Sequence, residues 1–112
     1  MILSYKFCIN NKDSCSEPCI IIDNDPNYLS NLGAQYLTES SNVKKELEKI
    51  KDVISNRKDS HEFGSEWCSL EVKKNTTTIY SNYDIFEPYD LPTLEISKLL
   101  TDWHDFLVEN GL

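Results

Sequence analysis

A chain of 112 residues and 13.0 kDa is the size of one domain, so residues 1–112 are read as a single folded unit with no room for a second. Its 19 acidic against 11 basic side chains leave a formal net charge of −8, which disfavours direct binding to nucleic acid or to an anionic membrane, since both require Lys and Arg opposite phosphate. With 39% hydrophobic and 11% aromatic residues, and only three Gly and four Pro, the composition is that of a folded domain rather than a disordered acidic tail.

The first element is a strand within Ile2–Ile9, where Leu3, Tyr5, Phe7 and Ile9 alternate with Ser4, Lys6 and Cys8, the period of a half-buried strand. A polar turn over Asn10–Ser16 follows. Cys19-Ile-Ile-Ile then reads as a short strand buried on both faces, with Pro18 at its first position, where a missing N–H is tolerated; residues 2–23 are expected to form a hairpin. Asp23-Asn-Asp-Pro-Asn is dense in turn chemistry. Tyr28–Leu37 is ambiguous, because Gly33 weakens any helix there.

Val43, Leu47, Ile50 and Ile54 recur at intervals of four, three and four, which predicts an amphipathic helix capped by Ser41 or Asn42. Asn56–His61 is read as the loop that ends it. Phe63–Lys73 alternates as a strand, Lys74-Asn75 as a hairpin turn, and Thr76–Tyr83 as the returning strand, whose outward row carries Thr77, Ile79, Ser81 and Tyr83 or the opposite set. The last element is a helix capped by Thr93, with apolar positions Ile96, Leu99, Leu100, Trp103, Phe106 and Leu107 and with Gly111 placed for a left-handed terminus. Together these give an α+β fold: an antiparallel β-sheet of about four strands in two hairpins, with two or three α-helices packed against it.

Chemistry has little to hold on to. The two histidines, His61 in a loop and His104 on the last helix, lie in no nucleophile motif. Structural zinc sites show two close Cys pairs, whereas only Cys15-x3-Cys19 has that spacing here. No calcium loop or Gly-rich phosphate loop is present. The sequence therefore calls for no catalytic residue, metal, cofactor or small-molecule substrate. The longest apolar run, Cys19–Ile22, is far too short to span a bilayer and no leader-like segment opens the chain, so a cytoplasmic protein with reduced cysteines is expected.

The charge is unevenly distributed. Residues 84–112 carry Asp84, Glu87, Asp90, Glu95, Asp102, Asp105 and Glu109 against Lys98 alone. Within them, Tyr83-Asp84-Ile85-Phe86-Glu87-Pro88-Tyr89-Asp90 mixes acids with aromatics, the residue types that anchor interfaces and steer a basic partner. The expected partner surface is Asp84, Glu87, Tyr89 and Asp90 with Glu95, Asp102 and Asp105 of the last helix; Asp23 and Asp25 are the second choice.

Residues 48–112 also resemble a family of small acidic bacterial proteins that includes YacL-like proteins and the CdiI-type immunity proteins of contact-dependent growth inhibition. The resemblance is carried by Glu66-Trp-Cys-Ser-Leu-Glu-Val, by Thr76–Asn82, and by Leu94-Glu-Ile-Ser-Lys-Leu-Leu-Thr-Asp-Trp-His-Asp-Phe-Leu. It implies a cytoplasmic immunity protein that binds a cognate toxin domain, often a basic nuclease, and holds it inactive. The alternatives are an adaptor or regulatory module for an unrelated cellular protein, and a small enzyme or metal protein using Cys8, Cys15, Cys19 and His61. Gene context and metal content separate the three.

Overall fold

In the computed structural model, which describes residues 2–12, 15–24, 29–33 and 35–112, the alternation of the first segment becomes a hairpin. Strand β1 (Tyr5–Lys12) pairs antiparallel with β2 (Cys15–Ile22), Tyr5 opposite Ile22 and Cys8 opposite Cys19. Phe7, Ile20 and Ile22 turn toward the core, while Ile21 is 37% exposed, so the isoleucine run alternates instead of being buried on both faces. Pro18 is the fourth residue of β2, not its first. The Asp23 N–H donates to the Ser4 carbonyl at 2.7 Å; ladder alternation then places Pro18, opposite Ile9, at a pair that exchanges no backbone hydrogen bonds, where its missing N–H costs nothing.

Two short 3-10 turns, Leu29–Gly33 and Gln35–Thr38, occupy the ambiguous stretch. Leu29, Leu32 and Leu37 are all buried. At Gly33 an added Cβ would lie 2.8 Å from Ile20 Cγ1, so the glycine is there for close approach. Helix α1 (Ser40–Ile54) follows; Glu39 stands at its N-cap with no side-chain cap bond, so neither Ser41 nor Asn42 performs that role.

The segment expected as one strand over Phe63–Lys73 is a hairpin, β3 (His61–Gly64) and β4 (Cys68–Val72), with Phe63 opposite Leu70. The turn between them depends on Gly64. A Cβ there would stand 2.2 Å from the Cys68 carbonyl oxygen and 2.8 Å from Ser69 Cα, both backbone atoms that cannot swing away. Ser65 then closes the turn, its N–H donating to Cys68 O at 2.9 Å and its hydroxyl accepting from the Trp67 N–H at 3.3 Å. Gly64→Ala is expected to cost about 3 kcal/mol, the upper end for overpacking. An unchanged urea midpoint would contradict the tight turn.

Strand β5 (Thr76–Ser81) returns along β4, and its buried row is Thr77 and Ile79, so the outward row is the other set. The sheet gains a further strand, β6 (Tyr89–Pro92), in the segment read as a connection. Its shortness and flanking prolines hide its alternation. The order is β3-β4-β5-β6, antiparallel throughout, beside the separate two-stranded hairpin.

Helix α2 (Thr93–Glu109) buries Ile96, Leu99, Leu100, Trp103 and Leu107, and Gly111 has φ +73° beyond its end, as the glycine signal predicts. Its N-cap is Pro92. Thr93 is already helical, and its buried hydroxyl donates to Lys73 O and sits 2.9 Å from Thr77 Oγ1, pinning the helix start to the sheet. One apolar cluster joins both sheets, the 3-10 turns and both helices. This is the expected α+β class; the described residues form six strands, in a two-stranded and a four-stranded antiparallel sheet, and two α-helices. Among the described residues no helix is long and apolar enough to cross a membrane.

Candidate interaction surface

Because side chains alternate across a strand, the four-stranded sheet has two unlike faces. Phe63, Leu70, Ile79 and Tyr89 lie in register on the face that meets the core. The opposite face places Glu62, Glu71, Thr78 and Asp90 in one row across all four strands. Glu62 and Glu71 are direct cross-strand neighbours, an arrangement of like charges that destabilises a sheet. Glu71 is partly offset by Lys73 at 3.5 Å, and Asp90 accepts a hydrogen bond from Thr78 Oγ1 at 2.7 Å. Ser69 opposite Tyr80 forms the adjoining row.

Aromatic rings flank the acids. Tyr80 is 37% exposed, Trp67 40% and Tyr83 55%, and the rings of Trp67 and Tyr83 meet at 5.3 Å. Asn82 holds this corner together. Its N–H donates to Trp67 O, its amide donates to the carbonyls of Ser65 and Glu66 at 3.0 Å, and its Oδ1 accepts from Ser69 Oγ at 2.8 Å. The Tyr83 hydroxyl donates to Glu66 at 3.3 Å, and the nearby carboxylate charge pushes that hydroxyl above the usual tyrosine range.

The residues expected to form one partner surface lie in different surroundings. Asp84, at φ +53°, and Glu87 are exposed on the loop that feeds the edge strand β6, and Asp90 is exposed on that strand. Tyr89 points the other way; its ring packs on the core and meets Phe86 at 5.8 Å. Glu95 and Asp102 turn toward the N-terminal hairpin, Glu95 accepting from the Leu3 N–H at 2.8 Å and Asp102 from the Tyr5 hydroxyl. Burial, and then that hydrogen bond, hold the Tyr5 hydroxyl well above its ordinary range. Asp105 is exposed with His104 Nδ1 at 3.3 Å. Asp23 is exposed and accepts from Ser4 Oγ at 3.4 Å, and Asp25 lies outside the described residues.

Sequence reasoning missed two features. Glu62 and Glu71 escaped notice because their alignment with Asp90 is a matter of register, which a single strand over Phe63–Lys73 obscures. The second is a buried polar cluster. Glu46 is 4% exposed on α1, where its Oε2 meets Nε2 of His61, itself 8% exposed and the first residue of β3 instead of a loop residue. The Tyr36 hydroxyl donates to the other carboxylate oxygen at 3.2 Å. The signal was available: Glu46 falls three residues after Val43 and four before Ile50, on the apolar stripe. The cluster joins a 3-10 turn, α1 and β3, and His61 stacks on Phe63 at 5.7 Å. Among the described residues no group of three or more His, Cys, Asp or Glu is arranged to hold a metal ion.

A cleft of about 680 Å³ opens between the hairpin and the 3-10 turns, lined by Glu17, Cys19, Ser30, Asn31 and Glu39 among others. No family model, curated protein or solved structure matches this chain.

Proposed function

We propose that this protein is an immunity protein that binds a cognate, basic, nuclease-type toxin domain of a contact-dependent growth inhibition system in the cytoplasm and neutralises it by stoichiometric binding. The observation that carries this reading is the open sheet face, where Glu62, Glu71 and Asp90 lie in one row beside the exposed rings of Trp67, Tyr80 and Tyr83. Carboxylates that repel one another in the free protein are relieved when Lys and Arg of a partner approach, so binding recovers free energy the isolated sheet lacks. Trp and Tyr are the anchors that such interfaces favour.

A nuclease groove is basic because it grips phosphates, and an acidic face competes for the same cations. Two of the three segments that carry the family resemblance, residues 66–72 and 76–82, include β4 and β5 at the centre of this face; the third lies on α2. Asp84 and Glu87 extend the acidity along the loop at its β6 edge. Glu95 and Asp102 are assigned to holding the N-terminal hairpin instead.

Co-expression with the product of the gene immediately upstream tests the reading. The wild-type chain is expected to co-purify with that product and to restore growth, whereas Glu87→Lys with Asp90→Lys is expected to lose protection while remaining folded. Failure of the wild-type protein to rescue growth contradicts the immunity reading. Binding of a basic protein that is no toxin would favour an adaptor in its place.

A further inference from the structure

The cysteines of the β1–β2 hairpin play no part in the partner surface, yet their placement is specific. Cys8 and Cys19 are direct cross-strand partners, both half-buried thiols. They project on the side of the hairpin opposite Phe7 and Ile20. The ladder alternation set by the Ser4–Asp23 bond makes theirs a hydrogen-bonded pair, with Cα atoms about 5.5 Å apart. A disulfide spans Cα separations of about 4.4 to 6.8 Å, so the strands need no shift in register to accept one. Cys68 is fully buried in the core of the other sheet, out of reach of this chemistry. Cys19 also lines the cleft beside the 3-10 turns.

We propose that Cys8 and Cys19 form a reversible dithiol–disulfide pair that is oxidised by low-molecular-weight disulfides. Cys8, as its thiolate, attacks one sulfur of the reagent, forming a mixed disulfide and expelling one thiolate, which takes up a proton. Cys19 then gives up its proton and attacks the Cys8 sulfur, forming the intramolecular bond and releasing the second reagent thiol. In balance, two protein thiols and one reagent disulfide become one protein disulfide and two reagent thiols.

The order of attack follows from the surroundings. Burial, and then the hydrogen bond and charge of Cys8, push the Cys19 thiol up to about 11, which leaves little thiolate for a first attack. Capping Cys8 removes the side-chain hydrogen bond and the charge that raise Cys19, while burial, the largest cause, stays. Cys19 therefore acts second, on a mixed disulfide held directly across the strand pair.

The test incubates the full chain with mixtures of oxidised and reduced glutathione, quenches by alkylation and maps the thiols by mass spectrometry. Of the chain's four cysteines, two are expected to be lost together, in a single cross-linked peptide joining Cys8 to Cys19 that dithiothreitol reverses. Cys19→Ser is expected to stop at glutathione on Cys8. The wild-type map stands without any variant: mixed disulfides alone, a cross-link to Cys15, or four surviving thiols would each overturn the proposal.

Discussion

Removing either member of the buried His61–Glu46 pair is expected to destabilise the protein by about 3–5 kcal/mol, a large share of the roughly 5–15 kcal/mol that holds a domain together. Both side chains are almost fully enclosed. In Glu46→Ala the imidazole and the Tyr36 hydroxyl lose their common acceptor, and in His61→Ala the buried carboxylate loses its imidazole partner. Desolvation that the contact had offset is then uncompensated. Replacing both by leucine removes the buried polar groups together, so the double variant is expected to recover most of the loss. Urea unfolding of the three variants measures this. Single variants that each cost less than about 1 kcal/mol, within the range of an exposed pair, would show that the cluster is not a buried unit.

Trp103→Ala is the second large effect, at about 3–5 kcal/mol. The side chain is fully buried, its ring meets Phe7 at 5.2 Å and Phe106 at 5.7 Å, and its indole N–H donates to the Leu37 carbonyl at 2.8 Å. It therefore ties the N-terminal hairpin, the second 3-10 turn and α2 into one core. Trp103→Phe keeps much of the ring but leaves the Leu37 carbonyl without that donor, which costs about 1–3 kcal/mol. Denaturation curves followed by circular dichroism separate the two. Equal losses for Ala and Phe would mean that the hydrogen bond, not the packing, dominates.

The sequence made the long periodic elements readable and left the short ones dark. Helix α2 could be seen because six apolar positions repeat at helical spacing and Gly111 punctuates the end. The hairpin β1–β2 was visible from alternation alone. Strand β6 was not, since its four residues hold one buried aliphatic, Leu91, and end on a proline. The β3–β4 turn was hidden because Phe63 and Cys68 differ in parity along a continuous strand but share a face once the chain folds back. Glu46 carries a charge, so the stripe of Val43, Leu47, Ile50 and Ile54 was drawn without it although its spacing sets it there.

The same limits governed the candidate surface. Acidity of residues 84–112 was plain in the sequence, but nothing local separates Asp90, which points from the open sheet face, from Glu95 and Asp102, which take hydrogen bonds from Leu3 and Tyr5. Long-range pairing made that division. Register also brought in Glu62 and Glu71 from a region whose net charge is slightly positive, which no tally by segment could detect.

The proposed steering of a basic toxin domain by the acidic sheet face and its β6 edge is open to one direct measurement, the rate of association with the upstream gene's product as a function of salt. The wild-type rate is expected to fall steeply as ionic strength rises, and Glu87→Lys with Asp90→Lys to lower it by about tenfold or more at low salt and flatten the dependence. Glu48→Lys with Glu109→Lys makes the same change in net charge at exposed positions on the two helices, and should lower the rate by no more than about threefold. Equal losses in the two double variants, or a wild-type rate indifferent to salt, would contradict the account.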